Sequence, residues 1–138
     1  MQTKLEKDQE AIGRILEVLL SGGLGRHRFD SYHDGLKVLH MDDLDKATAA
    51  FDDVLGWMID EGLVRAQNVS ATLSHGTTYI GVQLTSKGLQ ALQMKASTDE
   101  KSVAETLKDT KGDLAPLAYA KIGALFGGFV GGTIKAIS

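Results

Sequence analysis

Cysteine is absent from the 138-residue chain, and proline occurs only once. The lack of cysteine excludes disulfides, thiolate nucleophiles and cysteine-ligated zinc, and it fits a reducing compartment such as the cytoplasm. Aromatic residues are scarce at 6%, but all apolar residues together reach 43%, which is enough to fill the core of one small domain. The composition is therefore that of a globular protein and not of a disordered one.

A surplus of positive charge is also missing. The chain has 15 Lys and Arg residues against 18 Asp and Glu residues, which gives a formal net charge of −3 at pH 7. Proteins whose main task is to neutralise phosphates are usually basic. The balance argues against a chain dominated by nucleic-acid binding, although it leaves room for a local basic patch.

Long hydrophobic runs are absent as well. The apolar stretch from Ile12 to Leu20 follows several charged residues and has no small-residue cleavage site after it, so it does not have the pattern of a signal peptide. Between Lys121 and Lys135 lie 13 uncharged residues. A membrane span needs about 20, so this stretch is short for one.

The first half of the chain contains one clear helical pattern. Thr3 and Glu6 have the spacing of a capping box, and the apolar residues behind them predict a helix over Leu5–Leu20 that ends at the following glycines. Residues 25–28 are expected to form a loop. Ser31–Leu39 has the apolar positions of a short helix, but residues 22–43 give the weakest pattern in the chain.

The second half begins with an amphipathic helix predicted over Leu44–Glu61, because its apolar residues form one stripe at helical spacing. Residues 63–69 are expected to be extended, and a polar turn follows at 70–77. In Thr78–Leu84 every second residue is apolar or β-branched, which predicts a half-buried strand. Thr85 can cap a further helix from Ser86 to about Lys95.

This order of elements, three helices followed by a hairpin and a helix, is typical of a winged helix-turn-helix. The predicted fold class is therefore mainly α with a small β-hairpin (α+β). Residues 1–96 are assigned to the winged-helix domain and residues 97–138 to a C-terminal helical extension. In that extension, capping-box spacings predict a helix to about Lys111, and Asp113 and Pro116 predict the start of a last one.

Two segments resemble known winged-helix proteins. They are FDDVLGWMIDEGLV at residues 51–64 and LTSKGLQAL at residues 84–92. Over roughly residues 44–95 the chain looks most like the YjcQ-type family of small uncharacterised bacterial and prophage proteins. The resemblance implies the winged-helix fold and a prophage origin. It implies no site or substrate, because that family has no established activity.

Double-stranded DNA is the first partner to consider for such a fold, because the helix before the hairpin would enter the major groove and the wing would touch phosphate. The outer side of the predicted helix offers one lysine and four aspartates, whereas base reading relies on Arg, Lys, Asn and Gln. The predicted wing turn has no Lys or Arg. If DNA is bound, the contacts are expected from Arg26, Arg28, Lys46 and Arg65; otherwise these are ordinary solvated charges.

The same acidic side allows a different hypothesis. The residues expected to be exposed on it are Asp45, Lys46, Ala49, Asp52, Asp53, Gly56 and Asp60. The face formed by Asp45, Asp52 and Asp53 is either a surface for a basic protein partner or a solvated acidic face.

Catalytic and metal-binding patterns are not found. The four histidines do not form the i, i+4 pair of a helical metal site, and no nucleophile stands in a pattern with a base. The run Gly22-Gly23-Leu24-Gly25 follows a helix and lacks the Lys-Ser/Thr ending of a phosphate loop. We therefore predict no enzyme activity, no cofactor and no metal.

Glycines at four-residue spacing distinguish the C-terminus. Such a stripe allows close helix–helix contact, but the glycines would make the helix weak without a partner. The partner is a second copy of the chain, the chain's own domain, or a membrane contacted by residues 117–137. The residues expected to support self-association are Gly123, Phe126, Gly127, Gly128, Phe129, Gly131 and Gly132.

Two functional hypotheses follow. The first is a cytoplasmic winged-helix protein that binds DNA or regulates transcription and forms a homo-oligomer, such as a dimer, through its C-terminal helices. The second is a protein-interaction or effector module that does not bind DNA, in which the glycine-rich helix drives oligomerisation or membrane contact.

Overall fold

The computed structural model describes residues 3–71, 76–92, 119, 120 and 123. These residues form helices and a small antiparallel sheet, so the α+β class predicted from the sequence is confirmed. The elements are, in chain order, α1 (Lys4–Ser21), β1 (His27–Asp30), α2 (Ser31–Leu39), α3 (Leu44–Asp60), β2 (Val64–Arg65), β3 (Asn68–Ala71), β4 (Thr77–Leu84) and α4 (Ser86–Leu92).

Helix α1 starts at the predicted capping box. The Thr3 hydroxyl accepts from the backbone N–H of Glu6 at 3.1 Å, and the Glu6 carboxylate accepts from the backbone N–H of Thr3 at 3.2 Å. The helix is one residue longer at each end than predicted, and its C-cap is Gly22. Its apolar side enters the core, where Ile15 and Leu16 are fully buried.

Strand β1 corrects the sequence prediction, because His27 and Arg28 were expected in a loop. They belong to a strand that pairs antiparallel with β4, with Phe29 opposite Tyr79. Asp30 ends this strand and caps α2. Its carboxylate accepts from the backbone N–H groups of the second and third residues after it, at 3.0 and 3.2 Å. A four-residue strand with a single buried side chain gives too short an alternation to be recognised from sequence.

Helices α2 and α3 are joined by a short turn. Helix α2 ends at His40, which adopts the left-handed conformation with φ 53°. Asp43 then caps α3, and its carboxylate accepts from the backbone N–H of Lys46 at 3.1 Å. The short helix expected at residues 31–39 is thus present. Helix α3 was predicted within one residue, and it buries Phe51, Leu55 and Met58 completely.

Strand β4 is the centre of the sheet. It pairs with β1 along one edge, and with β2 and β3 along the other edge. The extended segment expected at residues 63–69 is therefore two strands, separated at Ala66 and Gln67. Val64 pairs with Leu84 at one end, and Ala71 pairs with Thr77 at the other. The predicted strand over residues 78–84 is confirmed and starts one residue earlier.

The core lies where the sheet meets the helices. The Phe29 and Phe51 rings are 5.5 Å apart between centroids, and the Phe51 and Tyr79 rings are 6.2 Å apart. Side chains from all four helices and from the sheet complete one cluster, which includes Ile12, Leu19, Leu39, Val54, Leu63, Val82 and Ala91.

Helix α4 begins at the cap predicted for it, because the Thr85 hydroxyl accepts from the backbone N–H of Gly88 at 3.1 Å. The expected extension to Lys95, the domain boundary near residue 96 and the helix ending near Lys111 lie outside the described residues. Tyr119, Ala120 and Gly123 are helical and buried. The order of the elements is compatible with the predicted winged helix-turn-helix. None of the described helices combines the length and apolarity that a membrane crossing needs.

Candidate functional site

A groove of about 540 Å³ lies between the start of α1 and the first half of α3. It brings Lys46, predicted to contact DNA, close to Lys4 and Lys7, which the sequence analysis did not single out. Carboxylates stand beside these lysines, and the floor is apolar. The lining residues are Lys4, Lys7, Asp8, Glu10, Ala11, Leu39, His40, Met41, Lys46, Ala49, Ala50 and Asp53.

The charges around this groove balance one another. The ammonium group of Lys4 lies 2.7 Å from a carboxylate oxygen of Asp8. This hydrogen bond raises the pKa of Lys4 above its ordinary value; partial burial opposes the increase, and the charges of Asp8 and Asp53 add smaller increases. Three lysines therefore share the groove with three carboxylates. Such a surface does not present the net positive charge that phosphate binding requires.

The four residues predicted to contact DNA do not form one surface. Arg28 and Arg65 are exposed, whereas their strand neighbours Phe29 and Val64 are buried. Because successive side chains of a strand point to opposite faces, both arginines lie on the outer face of the sheet. Lys46 lies across the core, beside α1. Arg26 is exposed in the loop before β1.

The outer side of α3 is acidic, as predicted. Its exposed residues are Asp45, Lys46, Ala49, Asp53 and Asp60. Asp52 and Gly56 depart from the prediction, because both are half-buried, and the Asp52 carboxylate accepts from the Tyr79 hydroxyl at 2.7 Å. Of the protein-binding face predicted from Asp45, Asp52 and Asp53, only Asp45 and Asp53 are therefore exposed.

The bond between Asp52 and Tyr79 joins α3 to β4. Tyr79 is only 3% exposed. Burial raises the pKa of its hydroxyl well above the ordinary value, and the hydrogen bond to Asp52 adds to the increase. The hydroxyl is therefore a donor held in its neutral form, which makes the contact a structural link between the helix and the sheet.

The hairpin of β3 and the first half of β4, which we call the wing, carries no charged side chain. All of β3 is exposed, and Val69 and Ile80 are among the exposed large apolar side chains, at 49% and 41%. Residues 66–86 contain no Asp, Glu, Lys or Arg. The wing therefore offers no charged group to phosphate.

The base of the wing is fixed to the start of α2. The backbone N–H of Thr77 donates to the Ser31 hydroxyl at 2.8 Å, and the Thr78 hydroxyl donates to the Asp30 carboxylate at 3.3 Å. Ser31 is fully buried. These contacts hold β4 against the start of α2, so the exposed β3 pairs with an anchored strand.

Residues of the C-terminal extension pack on α1. The Tyr119 side chain is fully buried. The Arg14 guanidinium lies 4.4 Å from the centre of the Tyr119 ring, and the Tyr119 hydroxyl donates to the Glu17 carboxylate at 2.7 Å. Arg14 also donates to the Glu10 carboxylate at 2.8 Å. The charged groups on this side of α1 are therefore satisfied within the chain.

Two glycines allow this contact. A Cβ atom on Gly13 would lie 2.6 Å from the carbonyl oxygen of Tyr119, and a Cβ atom on Gly123 would collide with the carbonyl oxygen of Gln9. Gly123, predicted to support self-association, is thus buried against the chain's own first helix. The other residues of that set lie outside the described residues, as does nearly all of the segment predicted to contact a membrane, so both hypotheses stay predictions.

Metal ligands do not converge in the described part of the chain, where no group of three His, Asp or Glu side chains could hold an ion. His27 is the one described residue with a buried side-chain nitrogen, Nε2, that has no hydrogen-bond partner. Its ring stacks on Phe29 with 5.9 Å between centroids. A single histidine packed on an aromatic ring is a packing feature and does not form a metal site.

Comparison of the chain with models of protein families, with characterised proteins and with solved structures finds no match. The resemblance to the YjcQ-type family therefore stays a prediction.

Two features of these surfaces were not predicted from the sequence. Lys4 and Lys7 reach the groove because they lie one turn apart on α1, a spacing that the sequence does contain. The Arg14–Tyr119 contact joins residues far apart in the chain. The only sequence signal for it is a charged Arg14 among the apolar residues of α1, which indicates a covered charge without identifying its partner.

Proposed function

We propose that this protein is a winged helix-turn-helix module that binds another protein through its wing and does not read DNA. The observation that carries the proposal is the distribution of charge: α3 has an acidic outer side, and the wing has no charge. These are the two elements that a DNA-binding protein of this fold would place against phosphates and bases.

The scaffold supports the first part of the proposal. Strand β1 lies between the first two helices and pairs with β4, and a short turn joins α2 to α3. The hairpin follows α3 directly. In a winged helix-turn-helix with this order, α3 and the wing would be the binding elements, which supports the proposal.

Electrostatics argue against DNA as the ligand. Protein–DNA affinity arises largely from Lys and Arg side chains that neutralise phosphates and release counterions. The exposed side of α3 has only Lys46 against Asp45, Asp53 and Asp60. Arg28 and Arg65 lie on the outer face of the sheet, so they would not reach the same duplex face as Lys46.

The wing has the properties of a protein-binding surface. The centres of protein–protein interfaces are depleted in charged residues and contain exposed apolar side chains. Val69 and Ile80 supply such side chains on adjacent strands, and no charge stands between Arg65 and Lys87 in the sequence. A partner that covers the wing would therefore desolvate no charged group.

Fluorescence anisotropy with a random-sequence DNA duplex tests the exclusion of DNA. The unmodified protein is expected to give no change, even at low salt. The variant Asp45→Lys/Asp53→Lys is the control, because it replaces the repulsive charges on α3 with cations and should gain binding that weakens steeply as salt rises. Salt-dependent binding by the unmodified protein would contradict the proposal and support the DNA-binding hypothesis.

Site-specific photocrosslinking tests the protein-binding part. A photoreactive amino acid replaces Val69 on β3 or Gln90 on α4, both of which are exposed. Protein crosslinks in the producing cell are expected from position 69 and not from position 90. Equal crosslinking from the two positions would mean that the wing is not a preferred surface.

A further inference from the structure

We propose that the partner of the wing is a second copy of this chain, and that the two β3 strands pair antiparallel across a two-fold axis. The inference rests on the proposed function, because it names the partner of the same surface. It differs from self-association through the glycine-rich C-terminus, since it uses a strand of the folded domain.

The outer edge of β3 is open within the part of the chain that the structure describes. Strand β4 occupies the inner edge of β3, and β1 lies on the far side of β4. All four residues of β3 are exposed. A strand in this position presents a row of backbone N–H and C=O groups that a further strand can pair with.

The usual protection of such an edge is mostly missing. Natural proteins block exposed edges with lysine, proline or inward-facing charges. None of these occurs in residues 66–86. What limits pairing is the length of β3, only four residues, and the break at Ala66 and Gln67 that precedes it. A short unprotected edge predicts a weak, reversible contact, with a dissociation constant on the order of 100 µM.

The composition of β3 favours a second copy as the occupant. Two-fold antiparallel pairing centred on Ser70 sets Ser70 against Ser70 of the second copy, and Val69 against its Ala71. These side chains are small or medium in size and carry no charge, so neither crowding nor repulsion arises at the axis. A charged partner segment would find no complementary charge on this edge.

The apolar side chain of Val69 strengthens this arrangement. Val69 lies across from Tyr79 on one face of the hairpin, and Ile80 lies across from Asn68 on the other. Pairing at the edge would therefore bring Val69 of each copy against the other copy, whereas Ile80 lies one strand further from the axis on the opposite face.

Sedimentation velocity of the full chain tests the inference, at concentrations from about 10 µM to about 1 mM, which bracket the expected affinity. A reversible monomer–dimer equilibrium is expected. The variant Val69→Lys/Ser70→Lys sets lysines directly opposite each other across the axis, and it should weaken the dimer at least about tenfold.

The matched control is Ser86→Lys/Gln90→Lys, which adds the same charge at two exposed positions of α4. Its dissociation constant should equal that of the unmodified protein, so a loss of dimer in the wing variant cannot be assigned to net charge. Circular dichroism of both variants establishes that they fold. The conservative variant Ser70→Thr, which keeps the edge uncharged, should retain the dimer.

Two results would overturn the inference. One is a chain that stays monomeric at every concentration, and the other is a dimer whose affinity the wing variant leaves unchanged. Neither result touches the proposed function, whose failure is seen separately as DNA binding by the unmodified protein. A monomer that binds no DNA but crosslinks from Val69 would keep the protein-binding function and replace the second copy with another protein.

Discussion

The chain covers the outer side of α1 with its own residues and leaves the outer edge of β3 exposed. The α1 side is rich in charge, yet Arg14 contacts both Glu10 and the Tyr119 ring, and Glu17 accepts from the Tyr119 hydroxyl. The β3 edge has no charge at all and is left exposed. The covered surface is rich in charge, and the surface without charge is open.

This difference shows why net charge alone is a poor guide to the partner. The chain's value of −3 is an average over a covered helix, an acidic α3 and a neutral wing. A ligand meets only the exposed surfaces, and among these the outer side of α3 is acidic and the wing is neutral, whereas Arg28 and Arg65 lie on the outer face of the sheet. Partner selection should therefore depend on backbone pairing and apolar contact at the wing more than on attraction between charges.

The largest effect is expected at the covered side. Tyr119→Ala should lower the free energy of unfolding by about 3–5 kcal/mol, because it removes a fully buried aromatic ring together with its contacts to Arg14 and Glu17. Chemical denaturation of the full chain measures the change.

Tyr119→Phe is the control for this variant. It keeps the ring over Arg14 and removes only the hydroxyl that donates to Glu17, so the expected loss is about 1 kcal/mol. If Tyr119→Ala unfolded at the same denaturant concentration as the unmodified chain, the C-terminal contact with α1 would not contribute to the stability of the domain.

The local features of the fold could be read from the sequence. Thr3 with Glu6, and Thr85 before α4, are caps formed by neighbours in the chain, so a sequence contains all the information needed to predict them. The long apolar stripe of α3 and the alternation in β4 are equally local. Each of these predictions was confirmed to within one residue at the element's start.

The contacts that shape the candidate surfaces could not be read in this way. Asp52 was expected to be exposed because it lies beside the apolar stripe of α3. Tyr79 contacts it from a strand that begins 17 residues after the helix ends. The covering of Arg14 depends on a residue of the C-terminal extension. Such pairs join distant parts of the chain, and only the folded arrangement specifies them.

Two helix glycines sharpen the contrast between covered and open surfaces. Gly13→Ala places a methyl group against the backbone of Tyr119, and its overpacking should outweigh the gain in helix propensity, for a net loss of about 1–2 kcal/mol. Gly56 on α3 has open space around it, so Gly56→Ala should instead gain about 0.5–1 kcal/mol. Thermal and chemical denaturation of the two variants measure both signs, and a gain in both would mean that α1 is not closely covered.

The link between α3 and the wing should be sensitive to alkaline pH. Because the pKa of Tyr79 is raised in the folded state, the unfolded chain loses this proton first as pH increases. The stabilisation is therefore complete below the ordinary tyrosine pKa of about 10 and declines above it. Tyr79→Phe should lose about 1 kcal/mol at neutral pH and should show a smaller decline between about pH 8 and about pH 11. Equal declines in the two proteins would remove Tyr79 as the cause.

The smallest effect on stability is expected at the open edge. In Val69→Lys/Ser70→Lys both changed side chains are exposed, and the backbone pairing of β3 with β4 is kept, so the free energy of unfolding of the monomer should change by no more than about 0.5 kcal/mol. Denaturation at low protein concentration measures the monomer alone. A large loss would mean that the outer edge of β3 is covered within its own chain, as α1 is by Tyr119, and the contrast between the two surfaces would fail. An unchanged monomer together with a weakened dimer would show that the edge serves a partner and not the fold.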